Sequence, residues 1–140
     1  MVLAIGVAYS LWRRFQERLE NDPAFARRLK AFKEAKQALV PAREYISTGK
    51  TKDFYALLSK VLRDYLANKW HQPSAALSVE VILGNLKTAK IDEAHIAQLK
   101  TLLEQADLVC FAGTERSSAD MHADLSQAQD VIAHLEKYLQ

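Results

Sequence analysis

Residues 54 to 70 read FYALLSKVLRDYLANKW. Within this stretch Phe54, Leu57, Leu58, Val61, Leu62, Tyr65, Leu66 and Trp70 recur at offsets of three and four, which traces one apolar stripe along an α-helix. The spacing predicts that this helix lies at the centre of the core. On its upstream side Ser47, Thr48, Gly49 and Lys50 form a loop. Thr51 is then expected as the N-cap, with Asp53 in the first turn placed favourably against the helix dipole. Downstream, His71, Gln72 and Pro73 end the helix.

Working outward toward the C-terminus, the same kind of punctuation recurs. Ser78 reads as the N-cap of a short helix with Leu77 and Ile82 at hydrophobic-staple spacing, and Gly84 weakens that helix by about 1 kcal/mol relative to alanine. Asp92 opens a further helix between Ile91 and Ile96, whose buried face is Ile96, Leu99, Leu102, Leu103, Ala106 and Cys110, with Gly113 as terminator. The last helix starts at Ser117 or Ser118 with Asp120 in a capping-box position, and its stripe is Met121, Leu125, Ala128, Ile132, Leu135 and Leu139. No segment alternates with the period of a strand, and no 30- to 40-residue repeat marks a solenoid. The expected fold is all-α: a compact bundle of about five to six helices, preceded by the end of a transmembrane helix.

Toward the N-terminus, Asp22 and Pro23 form a cap and a first helical residue, opening a helix through Phe25, Leu29, Phe32 and Leu39. Pro41 predicts a break near Val40, after which Ala42 to Ile46 resume the helix. Residues 2 to 12 read VLAIGVAYSLW, an apolar run closed by Trp12 and followed at once by Arg13 and Arg14, with Arg18 one turn on. An aromatic at headgroup level with arginines beyond it is the pattern of a cytoplasmic membrane exit. Eleven residues cannot cross a bilayer, which needs about 20. A signal peptide does not fit, because the charges follow the apolar run and no small-residue cleavage site comes after it. The run therefore reads as the end of a longer protein's transmembrane helix. The alternative is an amphipathic helix over residues 2 to 19 packed on the domain. The chain divides accordingly into residues 1–12, a truncated membrane helix; 13–50, a basic juxtamembrane region; and 51–140, the bundle core, with 13–140 expected as one folded unit.

At 140 residues the chain is about one domain by length, and its 49% hydrophobic content puts it outside the range of disordered chains. The single cysteine, Cys110, has no partner for an intramolecular disulfide, which suits a reducing compartment. A net charge of +2 gives no strong field for nonspecific nucleic-acid binding. The charge is uneven, however: ten Lys or Arg face five Asp or Glu between Arg13 and Lys50, whereas acids outnumber bases seven to two in the last forty residues. A polyanion would meet the N-terminal part. Its basic stretch from Arg13 to Lys36 reads as a solvated helix face or as a contact for anionic headgroups, and a nucleic-acid surface ranks third for want of interleaved aromatics.

Chemistry-bearing constellations are scarce. His71, His95, His122 and His134 do not stand at helical metal-site spacing to another His or Cys. Cys110 on an apolar face reads as a small core residue, and neither a phosphate loop nor a nucleophile elbow occurs among four scattered glycines. No metal, no cofactor, no small-molecule substrate and no catalysis are expected.

Taken in order, FYALLSKVLRDYLANKW, the Pro73 linker, LSVEVILGNL from Leu77 and LLEQADLVCFAG from Leu102 to Gly113 resemble the C-terminal region of the BatD-like, aerotolerance or oxygen-tolerance, family. The resemblance extends over nearly all of the chain. It implies a cytoplasmic helical tail behind a transmembrane helix in the bacterial inner membrane. It also implies protein partners of the von Willebrand factor A domain and MoxR-type AAA+ ATPase classes. Tyr55, Tyr65, Asp107 and Phe111 match pattern positions, each readable as core packing or capping, while Trp70 and His71 depart from the usual small or aliphatic residues. The function expected is a non-catalytic adaptor or scaffold, with a soluble helical regulatory or nucleic-acid-binding domain as the alternative. Because the main stripes are used in the core, partner contacts are expected at Trp70 and His71 and at the loop of Phe111, Glu115 and Arg116, where apolar and polar groups meet.

Overall fold

In a computed structural model, the backbone is described for residues 2–21 and 23–139, and the side chains for residues 5–14 and 26–139. The helices are α1 (Val2–Asn21), α2 (Pro23–Ala38), α3 (Ala42–Ser47), α4 (Thr51–Trp70), α5 (Val79–Thr88), α6 (Glu93–Ala112) and α7 (Ser118–Tyr138), with a 3-10 turn at Ser74–Ala76. No strand occurs among the described residues, so the chain is all-α.

The centre of the bundle is α4, which packs against α2, α3, α6, α7 and the 3-10 turn. Phe54, Leu58, Leu62, Tyr65 and Leu66 on its stripe are fully buried, and Val61 nearly so, whereas Leu57 and Trp70 are only partly covered. Each fully buried large side chain contributes roughly 1.5–3 kcal/mol of transfer free energy. Tyr55 and Lys69 are also buried, although both lie off the apolar stripe. They enter the core because each brings its polar atom to a partner on α7.

Three helix starts follow the expected chemistry, and that of α4 does not. Ser78 Oγ accepts from the Val81 amide, Asp92 Oδ1 accepts from Ala94, and Ser117 with Asp120 forms a complete capping box. Thr51, expected as the N-cap of α4, is instead its first helical residue; the N-cap is Lys50, which supplies no side-chain cap. At the other end His71 terminates α4 with φ 50°, taking the left-handed position where glycine is usual. Gly113 does the same for α6 with φ 67°, a conformation that a Cβ would strain.

The face of α2 differs from the expected one. Ala31, Ala35 and Leu39 are buried, while Leu29 is 46% exposed and Phe32 only partly covered beneath Lys36, whose Nζ lies 4.6 Å from the ring centroid. Small side chains on the inner face let α2 approach α4 closely, and that contact turns Leu29 outward. The side chains of Phe25 and Asp22, the latter expected as a cap, lie outside the described residues. The break at Pro41 falls where expected, between α2 and α3.

Candidate membrane-proximal and partner-binding sites

Helix α1 packs on α2, and it has no other substantial packing partner among the described residues. Ile5, Val7, Tyr9, Leu11 and Trp12 are 57–71% exposed. At 100° per residue these positions cover more than one face, so the helix is apolar around its circumference up to Arg13 and Arg14, which are exposed as well. The Tyr9 and Trp12 rings lie 6.1 Å apart and form an aromatic pair just before the arginines. The side chain of Arg18 lies outside the described residues. The apolar part rises about 16 Å, roughly half the hydrocarbon thickness of a bilayer. Among the described residues no helix is long and apolar enough to cross a membrane.

The partner contacts expected from the sequence separate into two places. Phe111 is 86% exposed at the end of α6, on the rim of a groove of about 800 Å³ against Lys52, Ala56, Lys60 and Ala75. Because Lys52 is in the first turn of α4 and Trp70 in its last, the two expected contact regions stand about 27 Å apart along that helix. Trp70 is partly buried against the core. His71 is exposed but held: Arg27 places Nη1 3.1 Å from His71 Nδ1, donates from Nε to Asn68 Oδ1 at 3.1 Å, and reaches the carbonyls of Ala67 and Gln72. This guanidinium satisfies the end of α4 and sets a positive charge against the negative end of its dipole.

At the other end, Glu115 is exposed but Arg116 is not a loose surface charge. Its Nη2 donates to Asp124 Oδ2 at 2.9 Å and its Nε to the Tyr55 hydroxyl at 3.1 Å, while Tyr55 itself donates to Asp124. Burial, followed by the hydrogen bond to Asp124, pushes Tyr55 up to about 12. The hydrogen bond to Tyr55, followed by that to Asp124, raises Arg116 further above its ordinary value. Arg116, expected from the sequence as a partner contact, thus ties the α6–α7 loop to α4. A buried carboxylate needs that partner, because an unpaired buried charge costs several kcal/mol.

A second polar tie, which sequence reasoning missed, joins α4 to the end of α7. Tyr65 donates to Glu136 Oε2 at 2.6 Å, and Lys69 Nζ lies 2.7 Å from the same oxygen with only 2% of its side chain exposed. Burial and then this hydrogen bond raise Tyr65 well above the ordinary tyrosine value. Also missed was the meeting of His95 and His134, whose rings stack 3.4 Å apart. The partners in both cases are tens of residues apart in sequence, and helical spacing carries no signal for them. Cys110 is partly buried beside the Lys52 carbonyl, and burial raises its thiol, which disfavours the reactive thiolate. No group of three or more His, Cys, Asp or Glu side chains converges on a metal position among the described residues.

No known protein family, curated protein or solved structure matches this chain.

Proposed function

We propose that the chain is a non-catalytic adaptor domain of a BatD-like protein, held by α1 at a bacterial inner membrane and presenting its helical body to protein partners on the cytoplasmic side. The observation that carries this reading is the row of apolar side chains from Ile5 to Trp12 left exposed together, beside a bundle that buries most of its own and leaves only scattered ones such as Leu29, Val40 and Phe111 in solvent among the described residues. A helix that is apolar all round belongs in an apolar surrounding. Trp12, Arg13 and Arg14 then match the boundary between hydrocarbon and headgroups. Exposed Lys30, Lys33 and Lys36 on α2 extend the basic surface, and each basic residue close to an anionic leaflet adds about 1 kcal/mol. Phe111 on the body, 86% exposed at the rim of its groove, supplies the apolar anchor a protein partner would cover. The von Willebrand factor A domain and MoxR-type ATPase classes are the partners that the sequence resemblance suggests.

Flotation of the full chain with vesicles tests the membrane half of this proposal. Binding is expected to vesicles containing anionic lipid, weaker binding to zwitterionic ones, and loss of binding in the Leu11→Ser, Trp12→Ser double variant. Failure to float with either vesicle, together with salt-sensitive binding to duplex DNA, would favour a nucleic-acid-binding domain instead. For the partner half, the full chain used as bait on bacterial membranes should recover one of the two protein classes, and Phe111→Ala should reduce that recovery.

A further inference from the structure

His95 in the first turn of α6 and His134 near the end of α7 lie ring on ring, with centroids 3.4 Å apart and planes within 3° of parallel. Tyr138 extends the cluster, its ring 4.7 Å from that of His134. The two histidines are in unequal settings. His95 Nδ1 is 3.3 Å from Asp92 Oδ2, so a proton on His95 has a carboxylate beside it. His134 Nε2 is buried and has no hydrogen-bond partner among the described residues, so a proton there has none.

We propose that the His95–His134 stack is an acid-sensitive latch, which holds the last turns of α7 on the start of α6 while both rings are neutral and opens when both are protonated. Neutral imidazoles at this spacing gain dispersion and exclude water from each other's faces. Two imidazolium rings would set like charges at contact distance, with His95 also at the positive end of the α6 dipole. Asp92 can offset one of those charges but not both. The other charged groups around the pair do not provide the missing counter-charge. Lys137 follows on α7 and adds to the repulsion, and Glu136 is taken by Lys69 and Tyr65 of α4. Asp130 stands one turn before His134 on the same helix and makes no ion pair with it.

The direction with pH follows from the same geometry. Burial, and then His95, hold His134 below its ordinary value of about 6.5. The folded state therefore binds this proton less readily than the unfolded chain. The latch contributes its full stability above about pH 6.5 and loses it as pH falls from there toward the lower folded value. Because the lost contact is local, the end of α7 should respond before the α4 core does.

The test is a histidine side-chain NMR titration of the full chain from about pH 8 to about pH 4.5, with amide exchange corrected for intrinsic rate. His134 should titrate below the ordinary histidine value of about 6.5, and protection of amides 132–138 should fall about tenfold relative to those of α4 between about pH 7.5 and about pH 5. In His95→Gln the His134 midpoint should move up toward that ordinary value, and the loss of protection should shrink. In His134→Phe, which keeps a ring but cannot titrate, protection should no longer depend on pH. A His134 midpoint at or above the ordinary value and unmoved by His95→Gln would overturn the proposal. So would an acid-induced loss of protection that persists unchanged in His134→Phe.

Discussion

α1 and α4 are each twenty residues long and both carry a dense set of large apolar side chains, yet one leaves them in solvent and the other removes them from it. In α4 the apolar residues keep to offsets of three and four, and Lys60, Asp64 and most other polar positions fall elsewhere on the helix. Such a helix has one face to bury, and the bundle buries it. In α1 apolar residues surround the axis as far as Trp12, and basic residues begin abruptly after it. Composition in α1 changes along the helix at Trp12 as well as around it, and a change along the axis suits a helix that meets an interface between two media. The difference separates side chains that hold the domain together from side chains free to hold it to something else.

Substitutions can break that comparison at graded strength. The largest loss is expected from Leu62→Ala at the centre of α4, where the side chain is 1% exposed. Denaturant unfolding should show about 2–5 kcal/mol lost, the range for emptying a well-packed site. A loss below about 0.5 kcal/mol would mean that this face does not carry the core.

Arg116→Glu comes next, because it removes two hydrogen bonds and sets a second carboxylate beside Asp124. A loss of about 2–3 kcal/mol is expected. The same change at exposed Glu115, Glu115→Arg, should stay within about 0.5 kcal/mol, so the pair distinguishes a structural tie from a surface charge. Ser117→Ala should cost about 1 kcal/mol by removing half of the α7 capping box. At the small end, Trp12→Ala should change stability by less than about 0.5 kcal/mol despite removing the largest side chain of its helix.

Much of the bundle was legible in the sequence because its information is local. The stripes of α4, α6 and α7, the caps Ser78, Asp92 and Ser117, the stop at Gly113 and the break at Pro41 all depend on residues within a turn or two of each other. What could not be read was pairing between helices. Tyr55 and Lys69 lie off the α4 stripe and become buried only because Asp124, Arg116 and Glu136 arrive from α7 and its preceding loop. For the same reason neither the bonds of Arg116 to Tyr55 and Asp124 nor the meeting of His95 and His134 left a sign in the sequence. The inner face of α2 misled in another way: aromatic and leucine residues suggested one stripe, whereas close packing selected Ala31 and Ala35. Of the candidate site, Trp12 and Phe111 are exposed, and the two expected contact regions on the body lie at opposite ends of α4.

The claim that α4 stabilises the domain while α1 is reserved for an external surface is tested most directly by removing residues 2–12. Thermal unfolding of that shortened chain should be followed by far-ultraviolet circular dichroism beside the full chain. The account predicts a cooperative transition whose midpoint moves by less than about 2 °C, since the side chains of residues 5–12 are exposed. A midpoint lowered by about 5 °C or more would contradict it, because α1 would then be part of the stabilising bundle and its apolar residues would not be free for a membrane.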